Sequence, residues 1–173
     1  MQAELDIHAA SGLAVVPADQ ISLRGISRLA RAYPYPHSIF GGPESDPYVQ
    51  KLARQPHNLG GGWYVLGLGD EVVAAAHLSI YGVGRGDGHT LWKIRHPLAA
   101  DYRQAAYLRA LFEGIIRAAM RLRSGTAKFV VFLGEHETEV MLHARLAGFE
   151  REGVFRDYYR LGEVCFVYGR TVA

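Results

Sequence analysis

The chain has 173 residues, 49% apolar and 21% charged, so it holds one domain's worth of sequence and enough apolar side chains for a sizeable core. Its formal charge of +2, with no basic run interleaved with aromatics, gives no support to a nucleic-acid partner. The single cysteine, Cys165, excludes an intrachain disulfide and a cysteine-built metal site.

The segment 1–12, MQAELDIHAASG, carries Glu4 and Asp6 and no apolar core. It reads as a flexible lead-in rather than a signal peptide, ahead of a single domain over 13–173. No uncharged apolar run approaches the ~18 residues of a membrane span, so a soluble, cytoplasmic protein without membrane contact is expected. LAVVP (13–17) predicts a short strand. ADQISLRGISRLARAY (18–33) sets Ile21, Leu23, Ile26, Leu29 and Ala30 near helical spacing and predicts an amphipathic helix. The Pro- and Gly-dense stretch 34–47 reads as irregular, with a weaker helix over 46–55. WYVLGLG (63–69) and EVVAAAHLSIYG (71–82) predict antiparallel strands about a tight turn at Gly69-Asp70. GVGRGDG (82–88) joins two strand-like runs instead of opening a helix, so it is a hairpin connection and not a dinucleotide loop.

HTLWKIRHP (89–97) predicts a third strand of this series. Leu108, Leu111, Phe112, Ile115, Ile116, Ala119 and Met120 then recur at helical spacing, opposite Arg109, Glu113, Arg117 and Arg121, in the strongest helix of the chain. Ser124-Gly125 ends it. AKFVVFLG (127–134) is the apolar run of a strand covered on both faces. ETEVMLHARLAGF (137–149) predicts a helix stopped at Gly148, and 151–172 two strands about Leu161-Gly162. A hairpin series followed by a strand–helix–strand unit implies a mixed sheet with helices on its faces, the long helix being a right-handed crossover between parallel neighbours. His136, Glu139 and His143 fall within one short helical stretch, but no further ligand is evident and no metal is expected.

The stretch RHPLAADYRQAAYLRALFEGI (95–115) leads from a strand to a helix N-terminus, whose unpaired N–H groups and positive dipole end suit a pyrophosphate. With Pro97, Tyr102-Arg103 and Ala110-Leu111-Phe112 in order, it resembles the acyl-CoA-binding segment of the GNAT superfamily of N-acyltransferases. Ala106 and Leu108 stand where that motif carries glycines, and the link 98–101 is longer than usual. The C-terminal part is similar to the same superfamily, with Gly148-Phe149, Glu152-Gly153, Arg156, Tyr158-Tyr159 and Gly162 in register. Together with the order of elements, the resemblance covers roughly residues 13–172.

The resemblance implies an α+β fold: a mixed, mostly antiparallel sheet of about seven strands, about four flanking helices, and one splayed parallel pair, 89–96 and 127–134. It implies acetyl-CoA as cosubstrate, with no metal. The backbone of Ile94, Arg95 and His96 would face the pantetheine and thioester. The N–H groups of Gln104, Ala105, Ala106, Tyr107 and Leu108 would face the pyrophosphate, with Arg103 adding charge. The implied reaction is direct attack by a primary amine, of a small molecule or a protein, through a tetrahedral intermediate. A monomer and a homodimer are both compatible with it. The tyrosine that the family often uses as acid falls at Ala144, and its helix-start asparagine at Glu137. Glu135, His136 and Tyr158 are the candidate catalytic residues, with His77, His89 and Tyr159 behind them. Tyr33, Tyr35, His37 and Phe40 would make an aromatic acceptor pocket, bordered by the glycines at 60–62. An acyl-CoA-binding domain with weak or no catalysis is the alternative, and an unrelated α/β domain the third.

Overall fold

Where glycine, proline or a capping acid interrupts the apolar runs, the chain changes element. The computed structural model describes residues 14–36, 40–55, 60–83, 88–123 and 125–173. The expected N-terminal lead-in, Leu13, His37, positions 84–87 of the glycine-rich connection and Ser124 lie outside them. The elements are β1 (Ala14–Pro17), α1 (Gln20–Arg31), α2 (Ser45–Ala53), β2 (Gly62–Leu68), β3 (Glu71–Val83), β4 (Thr90–Ala99), α3 (Ala105–Leu122), β5 (Ala127–Gly134), α4 (Thr138–Leu146), β6 (Glu150–Arg156) and β7 (Val164–Val172). Asp19 starts α1 by accepting the N–H of Ser22 at 2.8 Å, which satisfies one donor of the first turn. Gly148, at φ +77°, ends α4 in a conformation that a side chain would disfavour.

The strands form one sheet in the order β1-β2-β3-β4-β5-β7-β6. Every neighbouring pair is antiparallel except β4 and β5, which are parallel because α3 crosses over between them. The fold class expected from sequence is the one found. One face of the sheet is covered by α3 and α4: Leu108, Leu111, Phe112 and Ile115 are buried in one cluster with Trp92, Ile94, Phe129 and Val131. On the other face Ile26 and Leu29 of α1, with Val49 and Leu52 of α2, cluster with Trp63, Val65, Ala75 and Leu98. The alanine run of β3 serves both clusters, since Ala74 and Ala76 fall in the first and Ala75 in the second. Small residues there let helices approach a central strand from both sides.

Pairing between β4 and β5 runs from Thr90/Ala127 to Ile94/Val131 and stops, although both strands continue. Past that point β4 is held only by β3, and β5 by β7. Between the pairs His77↔Arg95 and Ala75↔Leu98, β4 carries one residue more than β3, a bulge at His96-Pro97. His96 takes φ +53° and Pro97 offers no N–H, so the bend that turns β4 away from β5 is fixed in the covalent chain.

Gly114 of α3 tests the packing of β1 on that helix. Alanine would add ~1 kcal/mol of helix propensity, but its Cβ would lie within 2.5 Å of Val15 Cβ. Overpacking costs ~1–3 kcal/mol, so Gly114→Ala is expected to lower the urea midpoint. Adding Val15→Ala to the same chain should bring it back.

Candidate active site

The gap left by the parted strands is a cavity of about 450 Å³. β4 contributes Lys93 to Pro97 to its wall and β5 contributes Phe132 and Gly134. The segment after α1 brings Tyr33, Tyr35 and Pro36, and α2 brings Tyr48. The β5–α4 turn adds His136 and Glu137, and the β6–β7 turn adds Tyr158, Tyr159, Arg160 and Glu163. Residues far apart in sequence thus meet where the sheet opens.

Glu137 precedes α4 but does not cap it; its carboxylate turns back toward the sheet instead. Oε2 accepts the Gly134 N–H at 2.6 Å, and Oε1 accepts the Tyr33 hydroxyl in a very short bond. Burial pushes its pKa above the usual carboxylate range, against the pull of those two donors, and nearby Glu163 adds to the rise. The Tyr33 hydroxyl is in turn held protonated, by burial and by the facing carboxylate. Tyr35 donates to Glu139 Oε2 at 2.8 Å, and Tyr33, Tyr35 and Tyr102 pack edge to face with centroids 5.2 to 6.1 Å apart. The segment after α1 is therefore tied to α4 by two tyrosine–carboxylate bonds.

His96 lies 3.0 Å through Nε2 from the Tyr48 hydroxyl, against the edge of Phe40. Arg95 donates to the same hydroxyl at 3.2 Å. Burial first, and then the Arg95 charge, push the His96 imidazole down to about 3, so it stays neutral. It lines the gap between the strands as an uncharged group.

At the start of α3 the side chains sort by helical direction. Gln104, Ala105 and Ala106 are exposed while Leu108 is fully buried in the core. Leu108 therefore leaves the first turn open, because only its backbone belongs to that end of the helix. The Arg103 side chain is exposed beside this turn, and its N–H bonds Asp101 Oδ1 at 2.9 Å. The Gln104 and Tyr107 N–H groups are already bonded, to Asp101 O at 3.2 Å and Gln104 O at 3.1 Å. The Ala105 and Ala106 N–H groups of this turn, with a cation beside them and no bulky side chain over them, fit an anionic pyrophosphate.

The sequence matches no described family profile and no curated protein. A Desulfovibrio desulfuricans protein assigned to the GNAT acetyltransferases is 19% identical, with TM-score 0.68 over 93% of this chain and 99% of its own. The chain has the GNAT fold. The aminoglycoside 6'-N-acetyltransferase of Enterococcus faecium superposes at TM-score 0.66 and 12% identity, over 92% of this chain and 97% of that one. An aminoglycoside 6'-N-acetyltransferase complexed with coenzyme A superposes at 0.65 and 13% identity, over the same shares.

Within the GNAT frame the candidates from sequence separate. His136 and Tyr158 line the cavity, and so does Tyr159. Glu135 is outside the lining, with Oε1 3.9 Å from His136 Nε2 and its N–H bonded to Val164 O. His89 lies at the far end of β4, 2.7 Å from Thr126 Oγ1, remote from the gap. His77 is buried against Trp63 and forms no part of the wall. Ala144 is buried in the core of α4, so that position supplies no acid. His136, Glu139 and His143 do not converge: His143 Nε2 is bonded to Tyr102 O at 2.7 Å while Glu139 takes Tyr35, and no group of three metal-ligating side chains occurs among the described residues. Among the described residues no helix is long and apolar enough to cross a membrane. Of the aromatic pocket, Tyr33 and Tyr35 line the cavity, Phe40 is buried behind Tyr48 and His96, and His37 lies outside the described residues.

Glu137, Lys93, Tyr48 and Glu163 were not predicted as site residues. Glu137 was visible only as a departure from the family's asparagine, and Lys93 as the lone cation within the run TLWKI. Nothing in the sequence signals Tyr48.

The depressed pKa of His96 has a stability consequence. An unfolded histidine takes a proton near ~6.5, whereas the folded one resists until about 3. Its contribution is therefore intact above the unfolded value and lost as pH falls across that window. Urea midpoints should drop below neutrality, and His96→Asn, which tolerates the left-handed backbone, should lower the midpoint at pH 7 but flatten the acid limb.

Proposed function

We propose that this protein is an acetyl-CoA-dependent N-acetyltransferase that acetylates a primary amine, of a small molecule or a protein, by direct attack. The observation that carries the reading is a partly buried carboxylate, Glu137, set in the cavity where β4 and β5 part. The pyrophosphate of coenzyme A would sit on the N–H groups of Gln104, Ala105, Ala106, Tyr107 and Leu108, with Arg103 beside it. The pantetheine would pair with the β4 edge released from β5, at Ile94, Arg95 and His96, in the manner of a further strand. Neighbours of the same fold act as acetyltransferases, and one of them is complexed with coenzyme A.

Two proton movements are needed. An ammonium near pKa ~10 must lose its proton before it can attack, and a departing thiolate benefits from a donor. Glu137 is the group best placed to take the first proton, since burial brings its pKa closer to the working pH than an exposed carboxylate. Tyr33 positions it. His136, with Glu135 beside it, offers the proton a path to solvent, and Tyr158 stands as the donor to sulfur. Ala144 favours the second reading, a coenzyme A-binding domain with little turnover.

Titrating the protein with coenzyme A by calorimetry should give saturable binding, weakened roughly tenfold by Arg103→Ala, the order of one charge-assisted contact. Absence of saturation in the parent protein would sink both readings.

Turnover separates them. Thiol release with acetyl-CoA over an amine panel should fall about a hundredfold or more in Glu137→Gln. In the parent it should rise with pH through the elevated pKa of Glu137, because the base works deprotonated. The same elevation means that the fold disfavours the charged form. Its stabilising effect is complete below the unfolded carboxylate value and lost as pH rises through the folded one. Glu137→Gln should therefore raise the melting temperature at pH 8 while removing activity; equal turnover in both forms would exclude Glu137 as the base.

A further inference from the structure

Lys93 is the one lysine on the wall of this cavity. It lies on β4 opposite Val130, a single pair before the last bond between the parallel strands. Its side chain is partly buried, and its ammonium lies over three rings: Phe132 at 3.9 Å, Tyr81 at 5.4 Å and Tyr158 at 6.0 Å. Among the described residues no carboxylate stands within ion-pair distance of it; the ion pairs are made elsewhere, by Arg28, Arg31, Lys128, His136 and Arg170. Arg95, two residues on and on the same strand face, repels it. Burial and that repulsion both lower its pKa, so a larger share of Nζ is the neutral amine than on an exposed lysine.

We propose that Lys93 is a self-acetylation site, its Nζ taking the acetyl group of the cosubstrate bound in the parted strands. The proposal rests on the acetyl-CoA reading given above. In the step, the Nζ lone pair forms a bond to the thioester carbonyl carbon and the C–S bond breaks. The nitrogen loses one proton and the departing sulfur gains one, so lysine amine and acetyl-CoA give acetamide and free thiol. What favours Lys93 is placement: the amine is fixed at the rim of the gap, so the reaction needs no diffusing acceptor. Once acetylated, the side chain loses its charge and its attraction to the rings, and adds bulk at the mouth of the cavity. Acceptor access would then fall whenever cosubstrate is plentiful and acceptor scarce.

The chain provides its own controls, because its other lysines are Lys51 on α2 and Lys128, which pairs with Glu152 at 2.7 Å. Protein incubated with acetyl-CoA and no acceptor, then mapped by peptide mass spectrometry, should carry acetyl on Lys93 at least about tenfold ahead of Lys51 and Lys128. A second readout needs no turnover. Saturating coenzyme A should slow labelling of Lys93 by acetic anhydride while leaving Lys51 unchanged. Lys93→Arg keeps a cation over the rings, should bind coenzyme A as the parent does, and should take up no acetyl ahead of background. Equal labelling of all three lysines, or an unmodified Lys93 in protein that binds coenzyme A, overturns the proposal and leaves the acetyltransferase reading standing. Failure to bind coenzyme A removes both.

Discussion

The structure turns on the point where two parallel strands stop bonding. β4 and β5 share five register pairs and then diverge, because the bulge at His96-Pro97 bends β4 while β3 and β7 keep hold of the two separated ends. A sheet interrupted within its interior leaves unpaired backbone groups, which are costly when buried unless something else bonds them. That gap is the cavity, and its wall comes from every layer of the fold. The packing of α1 and α2 on one face and α3 and α4 on the other keeps it open, since neither helix pair could slide across without losing its cluster around Ala75 or Ile94.

The electrostatics of the gap follow from the same burial. A carboxylate at Glu137 loses hydration and regains only part of it through Tyr33 and Gly134. An imidazole at His96 stays neutral, and a lysine at Lys93 lies over aromatic faces with the Arg95 charge nearby. Each departs from its solution behaviour in the direction that desolvation dictates. Such departures gathered at one opening support the proton-transfer role proposed for it.

The fold was readable because its signals are periodic and local. The spacing of Leu108, Leu111, Phe112 and Ile115, the apolar run 127–134 and the stop at Gly148 each specify an element from neighbouring residues alone, and their order specifies the mixed sheet. Boundaries moved only a little: the strand expected to end at Pro97 runs on to Ala99, because a bulge absorbs the proline that read as a terminator. The site was readable only in part. His136, Tyr158 and the turn at Arg103 could be placed by resemblance, but Glu137 and Tyr33 are bonded across 104 positions and Tyr48 meets His96 across 48. No periodicity encodes such pairs. Leu108 stands at a glycine position of the motif, yet as a residue on a helix it points into the core.

Ala144 and Glu137 belong to one short stretch, the body of α4 and the residue just before it. A tyrosine on α4 needs space at the sheet, and here that space is filled by the packing around Ala144. In the turn before α4, Glu137 reaches back to Gly134 and meets a tyrosine delivered from the end of α1. A charge held at Glu137 carries the ordinary cost of desolvating a carboxylate. A glutamine could accept the Gly134 N–H at that position without the charge. An ionisable group held there against that cost, where the sheet opens, is the physical ground on which the proton-transfer role proposed for Glu137 rests.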